Sequence, residues 1–201
     1  YRMLLTHKHF LSASLVIGGA LGALYAQATF LPFILMNDVG LSSAQFGVSM
    51  LAQSGSFFLA SLLCRGLMEK FGAERLVAPG LCFIACGSLG TMTLLIWPPS
   101  FLHVMIPVAT YSFGIAFVMP AMSTAALAPF GKAAGAAASL MGFIQMGSGL
   151  LMGTIGALMG NAVIAMGVLI PIMGAVACVA FAVYRKIGPI ETPAAAVQAP
   201  S

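Results

Sequence analysis

The polar side chains that could do chemistry inside the apolar runs of this 201-residue sequence are all neutral: Tyr25, Gln27 and Thr29 in the first run, Ser49, Gln53 and Ser56 in the second, Tyr111, Ser112 and Ser123 in the fourth, and Gln145 in the fifth. Such groups hold a ligand by hydrogen bonds or join neighbouring helices. Proton relays and ion pathways need Asp, Glu, Lys, Arg or His at membrane depth, and none of these lies in the core of any run. Gln45, Ser49, Gln53 and Ser56 recur at helical spacing and share one face. The Gly55-Ser56 pair raises an intramembrane serine protease, whose nucleophile needs a general base at its own depth. His7, His9 and His103 stand at or outside the ends of the runs, so no base is at hand and that reading is disfavoured. His7 and His9 have no further metal ligand nearby. Cys64, Cys82, Cys86 and Cys178 lack the spacing of a zinc ribbon or a disulfide framework and read as small apolar fillers. Neither metal nor cofactor is expected. Among fourteen methionines and fourteen phenylalanines, Phe117, Met119, Met122, Phe143 and Met146 could give a soft lining for apolar ligands.

The elements that must position these groups follow from composition. With 61% apolar and 6% charged residues, the chain is an integral membrane protein. Runs of spanning length occur at about 10–36, 44–63, 76–97, 102–126, 134–159 and 162–184, which predicts an all-α membrane protein of six transmembrane helices over residues 1–187. Residues 188–201 are Ala/Pro-rich with nothing to bury, and are expected to be a disordered tail. Arg2, Lys8, Arg65, Lys70, Arg75, Lys132, Arg185 and Lys186 all fall on one side, so the positive-inside rule makes both termini cytoplasmic. That asymmetry accounts for the net charge of +4 without nucleic acid. Tyr1 is no initiator residue, and a fragment is expected.

The run from Gly131 to Gly160 carries a stripe at helical spacing that includes Gly142, Gln145, Gly149, Gly153 and Gly156. In lipid, small-xxx-small faces let another helix approach closely, either as fixed packing or as a sliding seam. A weak internal repeat also appears. Gln53-Ser54-Gly55-Ser56 matches Gln145-Met146-Gly147-Ser148, and Pro32 near the exit of the first run is echoed by Pro120 near the exit of the fourth. Three spans separate the copies, so the second triplet is inverted relative to the first. A 3+3 inverted repeat of this kind is nested in each half of a major facilitator transporter.

The fourth and fifth runs, GIAFVMPAMSTAALAPFGKAAGAAASLMGFIQMGSGLL, resemble the corresponding part of the drug:proton antiporters of the major facilitator superfamily, in particular the bicyclomycin-resistance (Bcr/CflA) branch. YAQATFLPFIL and GLSSAQFG are similar to that branch's first span and loop of the C-terminal half. The stretch from Arg65 to Arg75 resembles a degraded copy of the superfamily's G-x-x-x-D-R-x-G-R-R loop, with Glu69, Lys70 and Gly72 at the Asp, Arg and second Gly positions. The resemblance implies half of a twelve-span exporter in the bacterial inner membrane, with the coupling carboxylate in a first half and an amphiphilic small molecule bound between the halves. The candidate substrate-binding residues are then Tyr25, Thr29, Gln53, Ser56, Tyr111, Met119 and Gln145, with Gln53 and Gln145 towards the cavity. Gly142, Gly149, Gly153 and Gly156 would face the N-terminal six-helix half, which leaves Gly149 and Gly153 exposed in this chain alone; membrane lipid would cover the rest. A free-standing six-span scaffold or half-size uniporter is the alternative.

Overall fold

The computed structural model describes residues 7–187, and within them six helices are long and apolar enough to cross a membrane. They are α1 (Lys8–Phe33), extended by a π-helical turn at Ile34–Asp38, α2 (Ser43–Phe71), α3 (Ala73–Met92), α4 (Phe101–Leu127), α5 (Ala134–Leu158) and α6 (Ala162–Ile187). The tail expected at 188–201 lies outside the described residues.

Local chemistry sets the helix ends. Ser42 and Gln45 form a capping box at the start of α2: the Gln45 amide N–H donates to Ser42 Oγ at 3.3 Å and the Ser42 N–H to Gln45 Oε1 at 2.9 Å. Two turns are so tight that only glycine suits them, Gly72 between α2 and α3 (φ +81°) and Gly160 between α5 and α6 (φ +69°). After Gly160, Asn161 Oδ1 accepts the Ile164 N–H at 3.0 Å and opens α6. The connection expected between residues 64 and 75 is corrected by this geometry. Arg65, Glu69 and Lys70 continue α2, which stops only at Phe71, because these charged residues are good helix formers even where they end the apolar run. At 29 residues, α2 is about 43 Å long and overhangs a ~30 Å hydrocarbon layer.

The helices divide into a central pair and flanks. In their most apolar stretches, 72% of α1 and 61% of α4 is buried, against 11% of α2 and 22% of α5. α1 packs on α5 and α6, α4 packs on α2 and α3, α1 meets α4, and α3 meets α6. Ile17, Leu31, Ile84, Ile115, Met166 and Ile170 are fully enclosed between them. The approach of α3 to α4 is close enough that a Cβ on Gly87 would stand 2.7 Å from the Tyr111 backbone nitrogen. At the end where α1 begins, called the basic end below, rings tie three elements together: His7 and Phe10 meet Phe130 at centroid separations of 5.1 and 5.5 Å, and His9 meets Tyr184 of α6 at 5.6 Å. At the opposite end, Thr93 Oγ1 lies 2.6 Å from His103 Nε2.

Candidate functional site

A cleft of about 400 Å³ opens where α1, α2 and α4 come together near the middle of the bundle. Its volume is in the range of small-molecule sites. α1 contributes Leu21, Leu24, Tyr25 and Ala28, which fall on one helical face by their 3- and 4-residue spacing. Gln53 and Phe57 come from α2, one turn apart, and Ser112 and Met119 from α4. Tyr25 and Met119 are 40% and 38% exposed, so a phenol and a thioether are open to a ligand. Ser112 is buried and its hydroxyl has no hydrogen-bond partner among the described residues. A buried hydroxyl without a partner costs on the order of 1–3 kcal/mol.

Tyr25 is held from behind by α5. A Cβ on Gly149 would lie 2.7 Å from Tyr25 Cβ, so the missing side chain is the slot that the base of the tyrosine occupies. One turn on, Thr29 donates to the Tyr25 carbonyl at 3.1 Å, and its Oγ1 faces Gly153. A further turn on, the Phe30 ring fills the space above Gly156. The glycine stripe is thus internal packing along this stretch, and the expected exposure of Gly149 is overturned: Gly149 and Gly156 are buried and Gly153 is half-buried, all against α1. The physical reason is volume, since Tyr25, Thr29 and Phe30 fill the room that the glycines leave. Gly142 differs from them, because a Cβ there would meet nothing within 4 Å.

Of the seven sequence-derived binding residues, the structure brings Tyr25, Gln53 and Met119 into the cleft. Ser56 lies one turn below Gln53, but its hydroxyl donates to the Ala109 carbonyl of α4 at 2.8 Å, so it is already engaged. Thr29 lines a separate cavity of about 390 Å³ at the far end, beside Asn37, Asp38 and Asn161. Tyr111 is corrected outright: it is fully buried and its hydroxyl donates to the Ala20 carbonyl of α1 at 3.2 Å, which makes it a strut between the central helices. Gln145 is half-buried on α5 and away from the cleft. Of the softer lining candidates, Met122 and Phe117 are core residues, whereas Phe143 and Met146 are exposed on α5.

Two polar residues matter more than their sequence context suggests. Ser112 is inconspicuous beside Tyr111, yet it is Ser112 that reaches the cleft. Gln27 is fully buried in α1, and neither its amide nitrogen nor its oxygen has a partner among the described residues. No hydropathy pattern could rank it above Tyr25 or Thr29, because its distinction is what surrounds it. With a phenol, a carboxamide, a hydroxyl and apolar walls, the cleft can bind an amphiphile by shape and hydrogen bonds. No family model matches the chain, and no curated protein matches it.

Proposed function

We propose that this chain is the C-terminal six-helix half of a proton-coupled exporter of small amphiphilic molecules, of the major facilitator superfamily drug:proton antiporter type, working by alternating access in a bacterial inner membrane. The observation that carries the reading is a pair of equivalent hydrogen bonds. Ser56 and Ser148 occupy the same place in the two Gln-x-Gly-Ser copies, and each donates at 2.8 Å to a backbone carbonyl of a central helix, Ser56 to Ala109 of α4 and Ser148 to Gly18 of α1. The packing supports the same exchange. Swapping α1 with α4, α2 with α5 and α3 with α6 carries the principal helix contacts onto one another, as the 3+3 inverted repeat of one transporter half requires.

In this reading the α1/α2/α4 cleft is this half's share of a midplane binding site, with Tyr25 and Gln53 towards the substrate. The coupling carboxylate belongs to the N-terminal half, and the thinly covered faces of α2 and α5 meet that half or lipid. Both termini and the basic end are cytoplasmic. The reading frame upstream of Tyr1 is expected to encode six further spans with an acidic residue in the first, and a cysteine replacing Lys70 is expected to resist impermeant thiol reagents added outside intact cells. An upstream frame without those spans, or dye flux through proteoliposomes holding this chain alone, would favour the half-size uniporter instead.

A further inference from the structure

A groove of about 770 Å³, larger than the α1/α2/α4 cleft, lies between α1 and α6 and runs up from the basic end. Leu11 and Leu15 form one wall and Ile172, Val176, Val179 and Val183 the other. The floor is low because the buried Ser12 and Ala180 are small, and Ser12 turns its hydroxyl inward to the Lys8 and His9 carbonyls at 2.8 and 3.1 Å, which spends its polarity on the helix backbone. From Ile172 to Ile187 the groove extends about 22 Å, longer than the ~15 Å of hydrocarbon in one leaflet. Its mouth is cationic. Lys8 and Ile187 close it, Arg185 and Lys186 lie in the same last turn of α6, and at this end of the bundle Glu69 and Lys70 close α2 and Glu74 and Arg75 open α3.

We propose that this groove is a site for one anionic phospholipid of the leaflet at the basic end, with an acyl chain laid between α1 and α6 and the phosphate against Lys8 at the N-terminus of α1. Charge complementarity selects this occupant over a neutral lipid, since basic groups at the headgroup level attract anionic lipid. A second protein helix is disfavoured by the lysine that would be trapped at the mouth. The inference depends on the membrane location of the chain and not on transport.

Native mass spectrometry of the purified chain in neutral detergent, incubated with phosphatidylglycerol or phosphatidylcholine, tests it. One phosphatidylglycerol should be retained in preference to phosphatidylcholine. Lys8→Gln, an exposed change that leaves the core untouched, should lower that retention about fivefold. Ala175→Phe should abolish it by filling the groove from the exposed side of α6, whereas Val48→Phe on the exposed face of α2 should not. Equal retention of the two lipids by the parent chain, unchanged retention in both groove variants, or an equal loss with Val48→Phe would each overturn the proposal.

Discussion

α2 and α5 are tied into the bundle by the same serine bond and are the two least covered helices, yet α2 leaves a cleft beside it near the middle of the bundle, whereas the cavity beside α5 opens only at the helix's end, at Gly156 and Ala157. When Ser56 is aligned with Ser148, Phe57 falls opposite Gly149 and Cys64 opposite Gly156. On the α5 side the glycines let the helix settle onto α1, and Tyr25 and Phe30 fill the slots. On the α2 side Phe57 keeps its ring and lines the cleft, while Ala60 and Cys64 further along α2 are buried against α4. At the position next to the shared serine attachment, glycine thus accompanies a sealed contact on one side and phenylalanine a cleft on the other.

The largest break in this comparison is expected from Gly156→Leu. Its side chain would run into the Phe30 ring, and overpacking of this kind costs about 1–3 kcal/mol. The detergent-solubilised chain should therefore melt at a clearly lower temperature, with Gly149→Leu behaving alike against Tyr25. Unchanged melting of both would show that α5 can swing away from α1, and the sealed side would not be sealed.

Next in size is the difference between the two corresponding glutamines. Gln53→Ala should weaken binding of an amphiphilic fluorescent dye roughly fivefold, about the ~1 kcal/mol of one hydrogen bond, while Gln145→Ala leaves it unchanged, as read by fluorescence polarisation. Equal effects would put a second binding surface on α5. Smaller again, Ser56→Ala and Ser148→Ala should each lower stability by about 0.6 kcal/mol, the mean for interhelical hydrogen bonds in lipid. Thermal melts that find one serine neutral and the other costly would end their equivalence. The smallest effect belongs to Gly142→Leu, which points into open space and should change the melt by no more than about 0.5 kcal/mol. A large loss there would extend the sealed contact to the whole stripe.

The six spans were legible because hydropathy reports what the bilayer requires, and the expected runs match the six helices, overrunning them only at Ile96, Trp97 and Met159. Hydropathy does not report where a helix ends, which is why α2 continues through Arg65, Glu69 and Lys70 to Phe71. The glycine stripe was legible as a surface for close approach, but not its partner. Small side chains advertise room, and only the placement of Tyr25 and Phe30 shows which helix uses it. The candidate site was legible to the extent that exposed polar types on α1 and α2 reach it, as Tyr25 and Gln53 do. Tyr111, Ser112 and Gln27 were beyond reach for one shared reason. Whether a neutral polar side chain faces a cleft or a core depends on rotation of its helix about its axis, and helices apolar all round carry almost no amphipathic signal to fix that rotation.

The tight turn at Gly160 bears on how the chain enters its membrane. α5 and α6 are joined by so few residues that neither can be threaded far without the other, and α5 is the least apolar of the six spans while α6 is the most apolar. A glycine-rich segment partitions weakly from the translocation channel into lipid. The following, most apolar segment can supply the drive for both, and insertion as a hairpin would delay the seal between α5 and α1 until α6 has been synthesised.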